Sequence, residues 1–174
     1  LASSSDFACG LTTTGHVECW TNGYNPDIEA TPTGTYTDIA VEMDYACAIA
    51  SGGTIACWGS SWSDAVNHVP NNSGYTAIAT SSGVACAITS GGSIECWGTA
   101  STTLSPAGVA PFVDLRLGAF GLCGIQSDGG VTCAPAGSPS MTIAESAPTE
   151  SGLLAVQVAD AHACSIRHQG EIAC

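Results

Sequence analysis

A unit of fifteen residues with two cysteines occurs five times along the chain, and this repeat constrains the fold more than any other feature. The copy at residues 45–59 reads Y-A-C-A-I-A-S-G-G-T-I-A-C-W-G. Aligned on its cysteines, the unit recurs at residues 7–21, 84–98 and 121–135, and in shortened form at residues 162–174. The copies together use all 10 cysteines of the chain. Such a sequence predicts an array of equivalent structural units.

Each unit is predicted to form an antiparallel β-hairpin with its two cysteines opposite each other. Opposed residues in such a hairpin have a constant index sum, so pairing Cys47 with Cys57 also opposes Ile49 to Ile55. The other units oppose equally apolar pairs, namely Leu11/Val17, Ile88/Ile94, Ile125/Val131 and Ile166/Ile172. A glycine follows each turn centre, at Gly15, Gly53, Gly92, Gly129 and Gly170. A three-residue hairpin loop needs a left-handed residue at that position.

The register predicts one disulfide within each hairpin, because opposed cysteines lie close enough to bridge. The predicted pairs are Cys9/Cys19, Cys47/Cys57, Cys86/Cys96, Cys123/Cys133 and Cys164/Cys174. Reduced buried cysteines and metal ligands are the alternatives, but zinc sites usually use closely spaced pairs such as C-x-x-C, which this sequence lacks. Regular cysteine pairing indicates an oxidising, extracellular compartment.

A further strand precedes each hairpin, because an apolar residue stands eight positions before each first cysteine. These residues are Leu1, Ile39, Ile78, Leu115 and Val156. The result is three strands per unit, with room in the connectors for a shorter fourth strand. First cysteines lie 37 to 41 residues apart, a period typical of β-propeller blades. We therefore predict one all-β propeller domain over residues 1–174, with units at about 1–38, 39–77, 78–114, 115–155 and 156–174. The best helix candidate, residues 141–147, is short and bounded by prolines.

The unit A-C-A-I-x-x-x-G-x-I-x-C-W-G resembles the repeat of the regulator of chromosome condensation family, particularly its secreted bacterial version with cysteines. The resemblance covers essentially the whole chain and is weakest in unit four, which lacks the Trp-Gly pair, and in the incomplete unit five. It implies a propeller that usually has seven blades, so five units imply a missing remainder, a smaller closed ring or an open arc. Family members include exchange factors for small GTPases, a propeller-type β-lactamase inhibitory protein and repeat regions of bacterial surface proteins.

Composition excludes some partners. Two arginines, no lysine and 15 acidic residues give a formal net charge of −13, which repels nucleic acid and argues against a chromatin role. The longest apolar runs fall well short of a membrane span, so we expect no membrane insertion. The first residues lack the pattern of a secretory signal, which predicts that a signal has been removed or that the sequence is part of a longer secreted protein.

The sequence contains no constellation that predicts catalysis, a cofactor or a metal site. The paired acids Glu42/Asp44 and Asp27/Glu29 do not form a calcium motif. Trp62 breaks the repeat pattern in a connector, where Tyr24 is the comparable aromatic residue of the preceding connector. We predict Trp62, Tyr24 and the connector residue His68 as partner contacts, because loop aromatics are common binding anchors.

These features predict a non-catalytic, secreted or cell-surface propeller that binds another protein or assembles with itself. Two alternatives stay open. The resemblance to the β-lactamase inhibitory protein allows an inhibitor of a secreted hydrolase, and the loop aromatics Trp62 and Tyr24 allow a glycan-binding propeller.

Overall fold

The computed structural model describes residues 1–23, 25–99, 111–119, 121–135, 153–158, 163–167 and 170–173. They form five three-stranded antiparallel sheets. Blade 1 contains β1 (Ala2–Ser3), β2 (Phe7–Leu11) and β3 (Val17–Thr21). Blade 2 contains β4 (Tyr36–Val41), β5 (Tyr45–Ala50) and β6 (Ile55–Gly59), and blade 3 contains β7 (Tyr75–Ser81), β8 (Val84–Thr89) and β9 (Ile94–Gly98). Blade 4 contains β10 (Phe112–Gly118), β11 (Gly121–Gln126) and β12 (Val131–Pro135), and blade 5 contains β13 (Leu153–Val158), β14 (Ala163–Arg167) and β15 (Ile172–Ala173).

The all-β propeller architecture predicted from the repeat is confirmed. Strand order in every sheet follows chain order, so each blade has an inner, a middle and an outer strand. The described parts of the connectors add no fourth strand to any sheet. They hold two short helices instead, α1 (Pro26–Glu29) and α2 (Asp64–Asn67), which the sequence analysis did not predict. The helix candidate at residues 141–147 lies outside the described residues.

A disulfide closes the hairpin of each of blades 1 to 4. The pairs are Cys9–Cys19, Cys47–Cys57, Cys86–Cys96 and Cys123–Cys133, with Cα atoms 4.0 to 4.1 Å apart. In blade 2 the amide of Ala50 donates to the carbonyl of Thr54 at 2.8 Å, and the cysteine pair lies three positions further along. Hydrogen-bonded and non-hydrogen-bonded pairs alternate along an antiparallel hairpin, so the cysteines occupy a non-hydrogen-bonded pair, where opposed side chains are closest. In blade 5, Cys164 is disulfide-bonded, and its predicted partner Cys174 lies outside the described residues.

In blades 1 to 4 the glycine after the hairpin turn also connects one blade to the next. Gly53 has a φ of +79°, the left-handed conformation that the hairpin requires. Its carbonyl accepts a hydrogen bond of 3.0 Å from the amide of Tyr75, the first residue of the next blade. Gly15, Gly92 and Gly129 accept the equivalent bonds from Tyr36, Phe112 and Leu153. The hairpin loop is therefore part of the interface between neighbouring blades.

Neighbouring blades pack two different faces against each other. The face of blade 2 that carries Cys47 and Ile49 lies against Ala85, Ala87 and Trp97 of blade 3. The opposite face of blade 2, with its own alanines and Trp58, lies in the same way against blade 1. Small residues on one face allow the bulky isoleucine and cystine of the neighbour to approach closely. This alternation explains why alanine flanks the first cysteine of the repeat.

The tryptophan that follows the second cysteine of the repeat holds the connector helices. The indole N–H of Trp58 donates to the carbonyl of Ile28 in α1 at 3.1 Å, and that of Trp97 donates to Ala65 in α2 at 2.9 Å. Both tryptophans are buried. Trp20 is 54 % exposed, and no helix among the described residues accepts a hydrogen bond from its indole. At the other end of the blade series, Ile172 is 70 % exposed.

Candidate functional site

The two rims of the propeller carry different groups. One rim holds the hairpin turns, which contact the next blade. At the other rim each connector begins beside the turn between the inner and middle strands of its blade; in blade 2 the amide of Ser60 donates to the carbonyl of Asp44 at 2.8 Å. We call this second edge the connector rim and define it by residues 4–6, 21–23, 42–44, 59–68, 82–83 and 98–99.

The Trp-Gly pair of the repeat shapes the connector rim. A Cβ atom at Gly59 would lie 2.5 Å from the carbonyl oxygen of Asp44 and 3.1 Å from Ile28 Cδ1. Its φ of +117° is also one that residues with side chains rarely adopt. Only glycine lets the chain leave the outer strand and pass so close to the inner turn.

Trp62 is the most exposed aromatic side chain among the described residues of this rim. Its side chain is 93 % exposed. The loop beneath it is held by two hydrogen bonds: the amide of Ser63 donates to Ser60 O at 3.1 Å, and Asn67 Nδ2 donates to Ser61 O at 2.8 Å. A tryptophan that gains no burial from its own fold, on a loop with fixed backbone, is a group available to a partner.

Helix α2 secures this loop to blade 3. Ala65 of α2 is fully buried, and its carbonyl accepts the Trp97 bond described above. The carboxylate of Asp64 accepts a hydrogen bond of 2.9 Å from Thr99 Oγ1. Trp62 is therefore presented from an element that is joined to two blades.

The surroundings of Trp62 are acidic. Asp64 follows it by two residues, and the adjacent inner turn holds Glu42, the 62 % exposed Met43 and Asp44. The chain has no lysine, and Arg116 lies elsewhere, in the central cavity. This part of the rim thus carries exposed apolar side chains, Trp62 and Met43, together with acidic residues.

Predicted contact residues behave differently in the structure. Trp62 and His68 flank α2, and His68 is exposed, with ring Nδ1 3.0 Å from the carbonyl of Asp64. Tyr24 lies outside the described residues. The role of Trp62, Tyr24 and His68 as partner contacts stays a prediction.

A second candidate site is the central cavity of about 590 Å³, which residues of all five inner strands line. On its wall, Asp38 accepts backbone hydrogen bonds of 2.9 Å from Ile39 and from Ile78 of the next blade. Burial raises the pKa of the Asp38 carboxyl, and these two bonds oppose that rise. Asp114 forms an ion pair with Arg116 on the same wall.

Sequence reasoning did not single out the polar residues of this cavity. They can be recognised by comparing blades at one position, the inner-strand residue that lies opposite the first cysteine of the middle strand. It is alanine in blades 1 to 3, at Ala2, Ala40 and Ala79, but Arg116 in blade 4 and Gln157 in blade 5. Like Trp62, these residues depart from the repeat.

Metal clusters and membrane-spanning helices are both absent from the described residues. No group of three or more histidine, cysteine, aspartate or glutamate side chains there is arranged to hold a metal ion. No helix in that part of the chain is long and apolar enough to cross a membrane.

Solved structures with the same fold include plant receptor ectodomains. The ectodomain of the receptor kinase ACR4 from Arabidopsis thaliana aligns with 95 % of this chain and 59 % of its own, at 21 % identity and a TM-score of 0.75. The ectodomain of the Physcomitrella patens receptor kinase CR4 aligns with 98 % of this chain and 47 % of its own, at 20 % identity and a TM-score of 0.77.

The structure of Prp20p from Saccharomyces cerevisiae, the yeast RCC1, is also similar, and that protein binds Gsp1p and histones. It aligns with 96 % of this chain and 55 % of its own, at 14 % identity and a TM-score of 0.72. The chain thus has the fold of the regulator of chromosome condensation propellers and spans about half the length of these structures. Comparison with protein-family models and with curated proteins gives no match.

Proposed function

We propose that this chain is a non-catalytic, extracellular propeller module that binds another protein through its connector rim, with Trp62 as the anchor. The observation that carries the proposal is the 93 % exposure of Trp62 on a loop held by α2. Tryptophan is enriched among the residues that dominate binding energy at protein interfaces. A fixed loop also reduces the conformational entropy that binding would otherwise cost.

Charge indicates the kind of partner. Asp64 follows Trp62 by two residues, Asp44 lies in the inner turn bonded to Ser60 of the same loop, and the net charge of −13 favours partners with a basic surface. The hairpin disulfides support an extracellular setting, since such bonds persist in oxidising compartments. A secreted hydrolase with a basic rim would be one such partner, which keeps the inhibitor alternative within the proposal.

The test is selection from a phage-displayed library of random peptides on the immobilised protein. Selected peptides should carry lysine or arginine beside apolar residues and bind Trp62→Ala at least about tenfold more weakly. Trp20→Ala is the matched control, because it removes an exposed indole outside the connector rim, and it should keep full affinity. Enrichment of no peptide, or equal binding to Trp62→Ala, would contradict the proposal.

Self-assembly is a second candidate, favoured by the exposed side chains of Trp20 and Ile172. Trp20 and Ile172 occupy positions that are covered by a neighbouring element in the middle blades. Burying both would extend a packing mode that the fold already uses four times. Sedimentation velocity over a wide concentration range tests this candidate: association that Ile172→Asp removes supports it, and a monomer throughout contradicts it.

A further inference from the structure

The central cavity combines a size suited to small ligands with a polar wall. Its volume of about 590 Å³ lies within the roughly 300–1,000 Å³ typical of ligand sites. The wall includes Asp38, Asp114, Arg116 and Gln157, together with apolar side chains such as Leu117. Hydrogen-bonding groups and apolar surface thus meet in one cavity at the centre of the propeller.

Arg116 and Gln157 are not required by blade packing. Their register position holds alanine in blades 1 to 3, and those blades pack well with it. A long polar side chain at this position loses conformational entropy on folding without contributing an apolar contact comparable to that of leucine. Arg116 and Gln157, which replace alanine on the inner strands that line the cavity, are therefore candidates for a binding role.

The hydrogen-bonding capacity of the wall is only partly used. Arg116 directs Nη1 to Asp114 Oδ1 and, at 2.7 Å, to the carbonyl of Leu115. A guanidinium has five N–H donors, and no described residue accepts from the Nε or Nη2 donors of Arg116, which leaves them for a ligand. Gln157 is exposed to the cavity and offers both a donor and an acceptor.

The charges of the wall restrict the ligand class. Two carboxylates and one guanidinium leave a local excess of negative charge, and the net charge of −13 also disfavours anions. A bare metal cation needs several converging oxygens, whereas both oxygens of Asp38 already accept backbone bonds. A neutral molecule with several hydroxyl groups can donate to the carboxylates and accept from the guanidinium at the same time.

We propose that the central cavity binds a neutral polyhydroxylated molecule of about monosaccharide or disaccharide size, with Arg116 and Gln157 as the residues that recognise it. Arg116 donates to ligand hydroxyl oxygens, Gln157 donates and accepts, and Leu117 contacts the apolar face of the ligand. This site is separate from the connector rim and does not rest on the function proposed for it.

The test uses the whole chain and a panel of glucose, galactose, mannose, N-acetylglucosamine and maltose, with acetate and ethanolamine as charged comparators. Saturation-transfer NMR identifies binding, and calorimetry gives the affinity. Arg116→Ala and Gln157→Ala restore the alanine of blades 1 to 3, so each variant should fold, and Arg116→Ala should bind the sugar about tenfold more weakly or worse. Trp62→Ala is the control and should bind like the unaltered protein.

Three results would overturn the proposal. Binding of no sugar in the panel would remove the site. Sugar binding that neither Arg116→Ala nor Gln157→Ala weakens would locate the ligand elsewhere. Binding of acetate or ethanolamine alone would show that the ligand class is wrong. Because Trp62→Ala affects only the connector rim, failure of this site and failure of the protein-binding role give different results.

Discussion

At the residue scale, Gly53 combines a backbone requirement with a packing requirement. A Cβ atom at this position would lie 2.6 Å from the amide nitrogen of Gly74, in addition to the unfavourable φ. We expect Gly53→Ala to lower the free energy of unfolding by about 2 kcal/mol or more. Gly52→Ala is the control, since no atom lies within 4 Å of its Cβ position, and it should cost less than about 0.5 kcal/mol in urea denaturation. Equal effects of the two variants would contradict this account.

Thr80, in the inner strand of blade 3, lowers the stability of the fold locally. Its side chain is 8 % exposed, and its hydroxyl has no hydrogen-bond partner among the described residues. Blade 2 has Val41 at the equivalent register position. Thr80→Val should therefore raise the free energy of unfolding by about 1 kcal/mol, because a buried hydroxyl without a partner is costly. A lower unfolding midpoint for this variant would show that the hydroxyl is satisfied.

Two buried tyrosines predict loss of stability in alkali. Burial, followed by the hydrogen bond to Glu95 Oε2, raises the pKa of Tyr75 to about 12, and burial also raises the pKa of Tyr45. The unfolded chain loses these protons near pH 10, whereas folded Tyr75 keeps its proton to about pH 12. The stabilisation is thus present below about pH 10 and is lost as pH rises from there to about 12. Urea denaturation across this range should show a smaller fall for Tyr75→Phe; an identical fall would rule out Tyr75 as its source.

At the element scale, the tryptophan and the connector helix stabilise each other. α1 has four residues, too few to be stable alone, and is begun by Pro26 and capped by the Asn25 side chain. Trp58→Phe removes the bond to Ile28 and leaves a buried carbonyl without a donor, so we expect a loss of about 2 kcal/mol. Trp20→Phe, where no described helix accepts a bond, should change the unfolding midpoint little. Similar losses for both variants would contradict the role given to α1.

The hairpins could be predicted from sequence and the connector helices could not, for a physical reason. Opposed cysteines, opposed apolar pairs and a left-handed glycine each specify the same register, so the hairpin is determined locally. α1 and α2 instead depend on an indole N–H from the following blade, which is a tertiary interaction. Each helix is only four residues long, so its sequence cannot show a helical apolar period. The exposure of Trp20 follows from the same dependence.

The candidate sites show a similar division. Trp62 could be found because it departs from a repeat whose other tryptophans follow a cysteine. Arg116 and Gln157 depart from the repeat as clearly, but their meaning depends on the inner strands converging on one cavity, which the sequence does not show. A residue that departs from the repeat thus indicates a binding site in this chain only when its place in the blade is known.

At the scale of the whole molecule, five similar blades support two surfaces that the repeat itself does not require. The connector rim presents Trp62 beside carboxylates, and the central cavity presents Arg116 and Gln157. Both surfaces depend on a fixed strand register in each blade, because the flanking strands position a loop of the connector rim or a residue of the central cavity. The hairpin disulfides secure that register and support the extracellular setting.

The most direct test of this scaffold is the intact mass of the denatured protein before and after reduction. All 10 cysteines should be oxidised, so reduction should raise the mass by about 10 Da, one hydrogen for each sulfur. That result would establish a fifth disulfide in addition to the four described. An unchanged mass would mean that the cysteines are reduced, and it would contradict both the cross-linked blades and the extracellular role proposed for them.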